Sequence, residues 1–219
     1  MTDKPKLLVL TSTFPRWQDD TDPPFVYELS RRLTDDFSVT VLTPHYPGAL
    51  QHENLAGMEV HRFRYFFKKY EKLAGQTGIL PTLRKQKLYL LVIPFFLLAQ
   101  LTSLISLCSR LKPDIIHAHW LIPQGFLAAL ISLFNRTPFI VTAHGADVFG
   151  LNGWLLTKLK TFTLSKASRI SVVSRALYQV LATDQLRNKL TTVPMGVDGE
   201  RFSPALQSPI TNPQDHPKL

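Results

Sequence analysis

Short apolar runs alternate with segments of helical periodicity along most of the chain. Six runs have the length and the β-branched or aromatic content of strands buried in a parallel sheet. They cover residues 6–11, 37–42, 114–120, 138–141, 168–173 and 189–193. A further segment, 58–63, alternates polar and apolar residues, which is typical of an edge strand.

Apolar residues at helical spacing predict helices between these strands. The first helix begins at Pro24 with Asp22 as its cap, the second covers 123–134 with Phe134 facing inward, and others cover 154–164 and the segment after Ser174. Strands and helices in alternation imply right-handed crossovers. The pattern therefore predicts an α/β fold, a doubly wound, mostly parallel Rossmann-like sheet with helices on both faces.

The polar turn Thr142 to Asp147, directly after the run 138–141, is the most distinctive feature of the chain. Parallel strands end at one edge of their sheet, and open α/β sheets bind ligands there. We expect this turn to share a crevice with four other segments. They are Ser12 to Asp22, His117 to Trp120, Ser174, and Met195-Gly196. Glycine beside histidine allows close approach of a ligand, so the crevice fits an activated phosphate compound.

One apolar segment has the length of a membrane span, because Leu88 to Leu107 carries no charge. A span would place the strands before and after it on opposite sides of the bilayer, where they could not share a sheet. A buried or interfacial helix is therefore favoured. The preceding segment, 64–87, is rich in Lys, Arg, Tyr and Phe. It is interpreted as a solvent-exposed segment with aromatic anchors, or as a surface that contacts anionic lipid or substrate.

The composition of the chain restricts the classes of partner and the compartment that we expect. A net charge of +9 over 219 residues indicates an anionic partner. No RNA-binding motif accompanies the basic stretch 61–72, so nucleic acid is not expected. The single Cys108 excludes an internal disulfide, and the amino terminus lacks the apolar core of a secretory signal. We expect a cytoplasmic protein, with peripheral attachment to the inner face of the membrane left open.

Several short motifs occur in a specific order. They are Thr13-Phe14-Pro15, Pro24 to Leu29, Asp114 to Trp120, His144 to Asp147, Val173-Ser174, and Val193 to Asp198 with Phe202-Ser203-Pro204. In this combination they resemble the amino-terminal, acceptor-side domain of family 4 glycosyltransferases, which have the GT-B fold of two facing Rossmann-like domains.

The resemblance implies transfer of a glycosyl group from a nucleotide sugar, with retention of configuration, to a glycan or lipid-linked acceptor. No cofactor or metal is implied, since the nucleotide sugar is a substrate. The residues implied as catalytic are His144, beside the reacting sugar, and Asp147. The candidate substrate-binding residues are Phe14, Pro15, Arg16, His119, Trp120, Gln124, Gly145, Ser174, Arg175, Met195 and Gly196.

The donor in such enzymes is held largely by a carboxyl-terminal domain, whose motifs do not occur here. We expect one Rossmann-like domain, 1–202, followed by a proline-rich linker, 203–219. The chain would then need a separate donor-domain chain or be a truncated enzyme. Its first loop, Ser12 to Asp22, also lacks the paired glycines of many relatives, and Arg16 and the helix after Pro24 could partly replace them.

Other interpretations stay open. The chain could be a non-catalytic module that binds a glycan, a lipid or a regulator. It could be a metal-dependent hydrolase built on His117, His119, His144 and Asp147. His144 could also be a strand-end histidine satisfied by backbone, and Ser174 a helix cap. The acids of Asp20-Thr21-Asp22 are interpreted as caps rather than as metal ligands.

Overall fold

One mostly parallel sheet of eight strands organises the computed structural model, which describes residues 4–17, 20, 24–74 and 78–196. The strands are β1 (Lys6–Leu10), β2 (Ser38–Pro44), β3 (His52–Leu55), β4 (Met58–Phe63), β5 (Ile115–His119), β6 (Phe139–Ala143), β7 (Arg169–Val172) and β8 (Leu190–Thr192). Their order is β3-β4-β2-β1-β5-β6-β7-β8, and only the β3–β4 pairing is antiparallel within this sheet.

The chain changes direction across the sheet at β1. From β1 it proceeds outward to β2 and β4, then crosses back so that β5 pairs with the other side of β1 and β6 to β8 follow outward. Connections that leave in opposite directions open a crevice at the carboxyl ends of the two central strands. The switch point therefore lies between the loop after β1 and the turn after β5.

Helices cover both faces of the sheet. They are α1 (Phe25–Arg32), α2 (Ile79–Lys85), α3 (Ile93–Leu111), α4 (Phe126–Asn135), α5 (Ala146–Phe149), α6 (Trp154–Lys166) and α7 (Arg175–Leu181). Successive strand residues point to opposite faces. Leu8 and Leu10 pack with α3 and α4 in the larger core, whereas Leu7 and Val9 pack with α1 through Val26.

The predicted α/β fold is confirmed, and three details of the sequence interpretation are wrong. The segment 58–63 is an inner strand, because β3 pairs with its outer side and forms the edge. The helix predicted from Pro123 begins at Phe126, because Leu121–Gly125 form a wider turn. Phe134 does not face the core; it is 86% exposed beside a groove between α3 and α4.

The segment expected as a buried or interfacial helix is a 3-10 turn, Lys87–Val92, that continues into α3. Within the described residues it is the one helical stretch long and apolar enough to cross a membrane, and 28% of its apolar window is buried. The strands on either side of it, β4 and β5, belong to the same sheet. It therefore lies on the sheet by one face.

Some expectations concern residues outside the described ranges. They are the cap Asp22, the end of the last motif from Val197 onward, and the linker 203–219.

Candidate active site

Three histidines form a row at the carboxyl ends of β5 and β6. His117 and His119 alternate with Ile116 and Ala118, so they point away from the larger core, and their rings lie 4.3 Å apart. His119 Nδ1 lies 3.0 Å from Nε2 of His144, which directly follows β6. The sequence separates these two residues by 25 positions, and the pairing of β5 with β6 brings them together.

Hydrogen bonding is incomplete along this row. His117 Nε2 pairs with the Thr142 hydroxyl at 2.8 Å. His119 has no exposed surface, and its Nε2 has no hydrogen-bond partner in the described part of the chain. A buried polar atom without a partner is uncommon and is a feature of functional sites.

Aromatic rings enclose His144. The Trp120 ring lies 4.7 Å away and the Phe25 ring, from the start of α1, 5.1 Å away, measured between centroids. The His119 ring stacks on His144 at 5.3 Å. Apolar surroundings of this kind disfavour a charged imidazole.

The row is neutral at neutral pH. Burial lowers the pKa of His117 to about 4, and burial together with the neighbouring His117 lowers the pKa of His144 to about 4. Burial, His117 and His144 lower the pKa of His119 well below its usual value. Each ring therefore carries one proton and offers one donor and one acceptor nitrogen.

Asp147 holds the two turns of the site together. Its Oδ1 accepts hydrogen bonds from the backbone N–H groups of His144 and Gly145, at 3.1 and 2.9 Å. Its Oδ2 accepts from the backbone N–H of Leu121 at 2.8 Å, on the turn after β5. Burial raises the pKa of this 2% exposed carboxyl, while the backbone donors oppose that effect. Asp147 thus fixes His144 through the main chain.

Both turns contain unusual backbone. Trp120 has a φ of 73°, which a non-glycine residue rarely adopts, and Gly145 has a φ of 105°. A carbon added at Gly145 would have Leu177 Cδ1 as its nearest neighbour, at 3.9 Å. Glycine is therefore required at position 145 by its backbone conformation rather than by lack of space. The positive φ of Trp120 is a strained conformation, and such strain is often found at functional sites.

The described residues of the first loop, 12–17 and 20, include a side chain packed against the sheet. Phe14 is 4% exposed, and Pro15 accepts a hydrogen bond from the Arg62 guanidinium at 2.7 Å. Arg16 is 5% exposed; its Nε donates to Asp20 at 2.7 Å, and its guanidinium lies over the Trp17 and Tyr46 rings. These predicted substrate-binding residues flank the switch point, with their polar groups engaged by the protein.

Other candidate residues lie on neighbouring strand ends. Ser174 caps α7, since its hydroxyl accepts from the Leu177 N–H at 3.3 Å, and Arg175 opens that helix on the surface. Met195 and Gly196 follow β8. Gln124 is fully buried in the turn after β5, and neither polar atom of its amide has a partner among the described residues.

The ligand set for a metal-dependent hydrolase does not form in the described ranges. No three histidine, cysteine or acidic side chains converge there in a way that could hold a metal ion. Both Asp147 oxygens face backbone N–H groups, and Asp20 is engaged by Arg16. Asp20 was predicted as a cap; in the described ranges its carboxylate accepts from the backbone N–H and the Nε of Arg16, at 2.8 and 2.7 Å.

Sequence reasoning did not identify two parts of the site. Phe25 belongs to the motif Pro24 to Leu29 but was not predicted as a site residue, and its ring lies 6.0 Å from that of Trp120 and 5.1 Å from that of His144. Thr142 was noted as part of the turn, but not as the partner of His117. The position of Thr142 could have been predicted from the sequence, because parallel pairing of β5 and β6 places it beside the strand end that carries His117 and His119. The position of Phe25 depends on how α1 crosses the sheet, which no local pattern shows.

Known sequences resemble this chain. The model of Glycosyltransferase Family 4 matches residues 24–201, most of the chain. TuaC of Bacillus subtilis (strain 168), described as a teichuronic acid biosynthesis glycosyltransferase, is 33% identical over 94 residues. That match covers 42% of this chain and 24% of TuaC. The chain thus matches about a quarter of the length of this relative.

Solved structures share the fold at low sequence identity. A sucrose-phosphate synthase chain from Thermosynechococcus elongatus superposes with a TM-score of 0.59 at 13% identity, covering 90% of this chain and 92% of that chain. UGT73P12 of Glycyrrhiza uralensis superposes with a TM-score of 0.54 at 11% identity, covering 88% and 49%. At these identities the superpositions show a common α/β architecture.

Proposed function

The chain belongs to glycosyltransferase family 4, and we propose that it forms the acceptor-side half of an enzyme that uses a nucleotide sugar. The reaction moves a glycosyl group, with retention of configuration, to a glycan or lipid-linked acceptor. The observation that carries the proposal is the His119–His144 pair at the switch-point crevice, neutral and walled by aromatic rings. No cofactor takes part, and the protein acts in the cytoplasm.

The pairing of these histidines decides which nitrogen of His144 holds its proton. A buried N–H without an acceptor is rarer than a buried lone pair without a donor. Since His119 Nε2 has no partner, we assign the His119 proton to Nδ1, which donates to His144 Nε2. The proton of His144 then lies on Nδ1, and this N–H is free to donate to an oxygen of the reacting sugar.

A neutral donor suits a sugar substrate. Hydroxyl and glycosidic oxygens are neutral acceptors, and a donor in an apolar site gains strength from the low local dielectric. Trp120 and Phe25 offer apolar rings beside His144, surfaces on which the faces of a sugar ring can pack. Asp147 and Gly145 keep His144 in place through the backbone, so they act as positioning residues.

The proposal assigns the donor to a second domain. Arg16 and Asp20 satisfy one another in the first loop, so this wall offers shape rather than charge to a diphosphate. A carboxyl-terminal domain of the family would face the crevice and hold the nucleotide. Gly145, Ser174, Arg175, Met195 and Gly196, at adjacent strand ends, would line the wall that this chain supplies.

The test supplies the second domain. We would mix the chain with a family 4 donor domain, add a panel of nucleotide sugars and acceptors, and measure release of nucleoside diphosphate. With His144→Ala we expect a rate loss on the order of a hundredfold or more, since one directed donor is removed from the site. Its melting temperature should stay close to that of the unchanged chain.

The matched control is His52→Ala, on the edge strand β3 at the far end of the sheet from β6. It should leave the rate unchanged. Equal rates for His144→Ala and the unchanged chain, or no transfer from any pair of substrates when the donor domain is present, would overturn the proposal. Unfolding of His144→Ala would instead assign the residue a structural role.

A further inference from the structure

The outer face of α3 carries an apolar stripe that nothing in the described structure covers. Leu91 at the end of the preceding 3-10 turn and Phe95, Leu98 and Ile105 of α3 are 71%, 54%, 60% and 49% exposed, and their spacing places them on one side of the continuous helical stretch. Thr102 lies between them, but its hydroxyl donates to backbone oxygens one turn earlier, at 3.0 and 3.1 Å. The stripe therefore presents almost no polar group to solvent.

The stripe continues onto neighbouring elements. The 3-10 turn before α3 adds Leu88, which is 80% exposed. On the other side, α3 and α4 border an apolar groove of about 660 Å³, with Phe134 at its rim. Single exposed apolar residues are ordinary on a protein surface, whereas a contiguous set of this kind marks a contact site.

Basic residues surround the amino-terminal end of the stripe. Arg84 and Lys85, at the end of α2, and Lys87, the first residue of the 3-10 turn, are exposed. A second basic group, Lys68 and Lys69, is exposed on a turn close to the stripe. The Phe66 ring, just before this turn, lies 5.7 Å from the Phe95 ring between centroids. None of these five forms an ion pair with a described residue.

The segment that forms this rim carries almost no negative charge. Glu71 is the single acidic residue between positions 60 and 113. It is fully buried and pairs with Arg64 and His45. The surface is thus an apolar centre with a cationic border, and the segment that forms it exposes no acidic side chain.

We propose that this surface, the α3 face, docks in the plane of a bilayer that contains anionic lipids. Leu91, Phe95 and Leu98 would enter the boundary between headgroups and acyl chains, and the lysines and arginines would contact the headgroups. The helix cannot cross the bilayer while β4 and β5 share one sheet.

Charge complementarity selects the lipid surface over a second copy of the chain. Two copies packed in parallel through this surface would bring their cationic borders together, which is unfavourable, and an antiparallel pair would leave both borders without opposite charge. An anionic bilayer offers the opposite charge around an apolar interior. The Phe96 ring, near the start of α3, lies 5.2 Å from that of Phe63, the last residue of β4, so α3 begins near the sheet edge that carries the histidine row and docking would bring the crevice close to the lipid.

The docking is independent of the transfer reaction, and its test needs no sugar donor. We would measure sedimentation of the 219-residue chain with vesicles of phosphatidylcholine alone and of phosphatidylcholine with phosphatidylglycerol. We expect binding to the anionic vesicles and little to the neutral ones. Arg84→Gln/Lys85→Gln/Lys87→Gln should weaken binding on the order of a hundredfold, from the attraction lost per basic residue. Leu91→Gln/Leu98→Gln should weaken it at least about tenfold.

Matched controls change the same kinds of residue elsewhere. The control for the apolar variant is Leu155→Gln/Val180→Gln, which changes two aliphatic side chains that are 58% and 56% exposed. The control for the basic variant is Lys158→Gln/Lys166→Gln/Arg187→Gln, which removes three exposed positive charges. Both should bind vesicles within about threefold of the unchanged chain.

Three results would overturn the proposal. The first is equal loss of binding in the α3 face variants and the controls. The second is equal binding to neutral and anionic vesicles. The third is a lipid-free dimer in sedimentation velocity that Leu91→Gln/Leu98→Gln dissociates, which would assign the face to a second copy. Circular dichroism melting of every variant separates these results from loss of folding.

Discussion

The histidine row and the first loop lie at the same edge of the sheet, on either side of the switch point, and they treat polar side chains in opposite ways. His117, His119 and His144 are neutral, and one buried nitrogen of the row has no partner. In the first loop, Arg16 and Asp20 are charged and buried, and they engage one another through two side-chain hydrogen bonds.

The difference shows that two properties of a polar side chain are separate. One is where the side chain lies, and the other is whether its hydrogen-bonding groups can bind a ligand. A strand end brings a side chain near the ligand, but the partners of that side chain decide whether it can also bind. A buried charge must be paired, and its hydrogen-bonding groups are then engaged. A neutral imidazole can be buried with one nitrogen open at a smaller cost. We therefore expect the loop to act through stability and the histidines through binding.

The largest effect of a single substitution that sharpens this comparison is expected for Arg16→Met. The exchange leaves the Asp20 carboxylate buried without the guanidinium that pairs with it. Breaking one half of a buried pair lowers the free energy of unfolding by about 3 kcal/mol. Denaturation in urea would measure the loss.

Arg31→Met is the matched control, because Arg31 pairs with Glu28 on the exposed surface of α1. The free energy of unfolding of Arg31→Met should stay within about 1 kcal/mol of that of the unchanged chain. If Arg16→Met kept full stability but weakened the binding of a nucleotide sugar, Arg16 would be a ligand contact and the contrast between loop and histidines would disappear.

Acid should destabilise the histidine row. The pKa of His117 and of His144 is about 4 in the folded chain, against 6.5 for an ordinary histidine. Between these values the unfolded chain binds more protons, so the contribution to stability is complete above about pH 6.5 and is lost as the pH falls toward about 4. At about pH 5 we expect a loss of about 2 kcal/mol for each of the two residues.

Urea denaturation at several pH values would measure this loss, and His144→Phe should reduce it by the share of one residue. The NMR titration of the His144 ring gives an independent measurement. A midpoint above about 7 would show that the ring is mostly charged at neutral pH, and the neutral-donor role of His144 would be lost with it.

The fold could be predicted because its strands carry local signals. The runs 6–11 and 138–141 are short and apolar, and a parallel sheet buries such strands on both faces. The strand β3 could not be predicted in this way. His52–Leu55 is polar and lies at the edge of the sheet, where only its pairing with β4 defines it as a strand.

The site was predictable in part. Strand ends identified His119 and His144, since parallel strands finish at one edge. The role of Asp147 as an acceptor from three backbone N–H groups was not predictable, because one of them belongs to Leu121, far away in sequence. Catalytic roles for Asp147 and His144 stay predictions, and the structure shows only where the two side chains lie.

The smallest effect expected concerns Ser174, which was predicted both as a cap and as a residue of the crevice. Its hydroxyl accepts from the Leu177 N–H, so Ser174→Ala should lower the free energy of unfolding by about 1 kcal/mol. Ser174→Asp keeps a capping oxygen and should restore most of that stability. A residue that only caps α7 would leave the KM for the acceptor unchanged in both variants. If Ser174→Asp restored stability and still raised KM, Ser174 would contact substrate as well as cap α7, as its proposed place in the wall of the crevice implies.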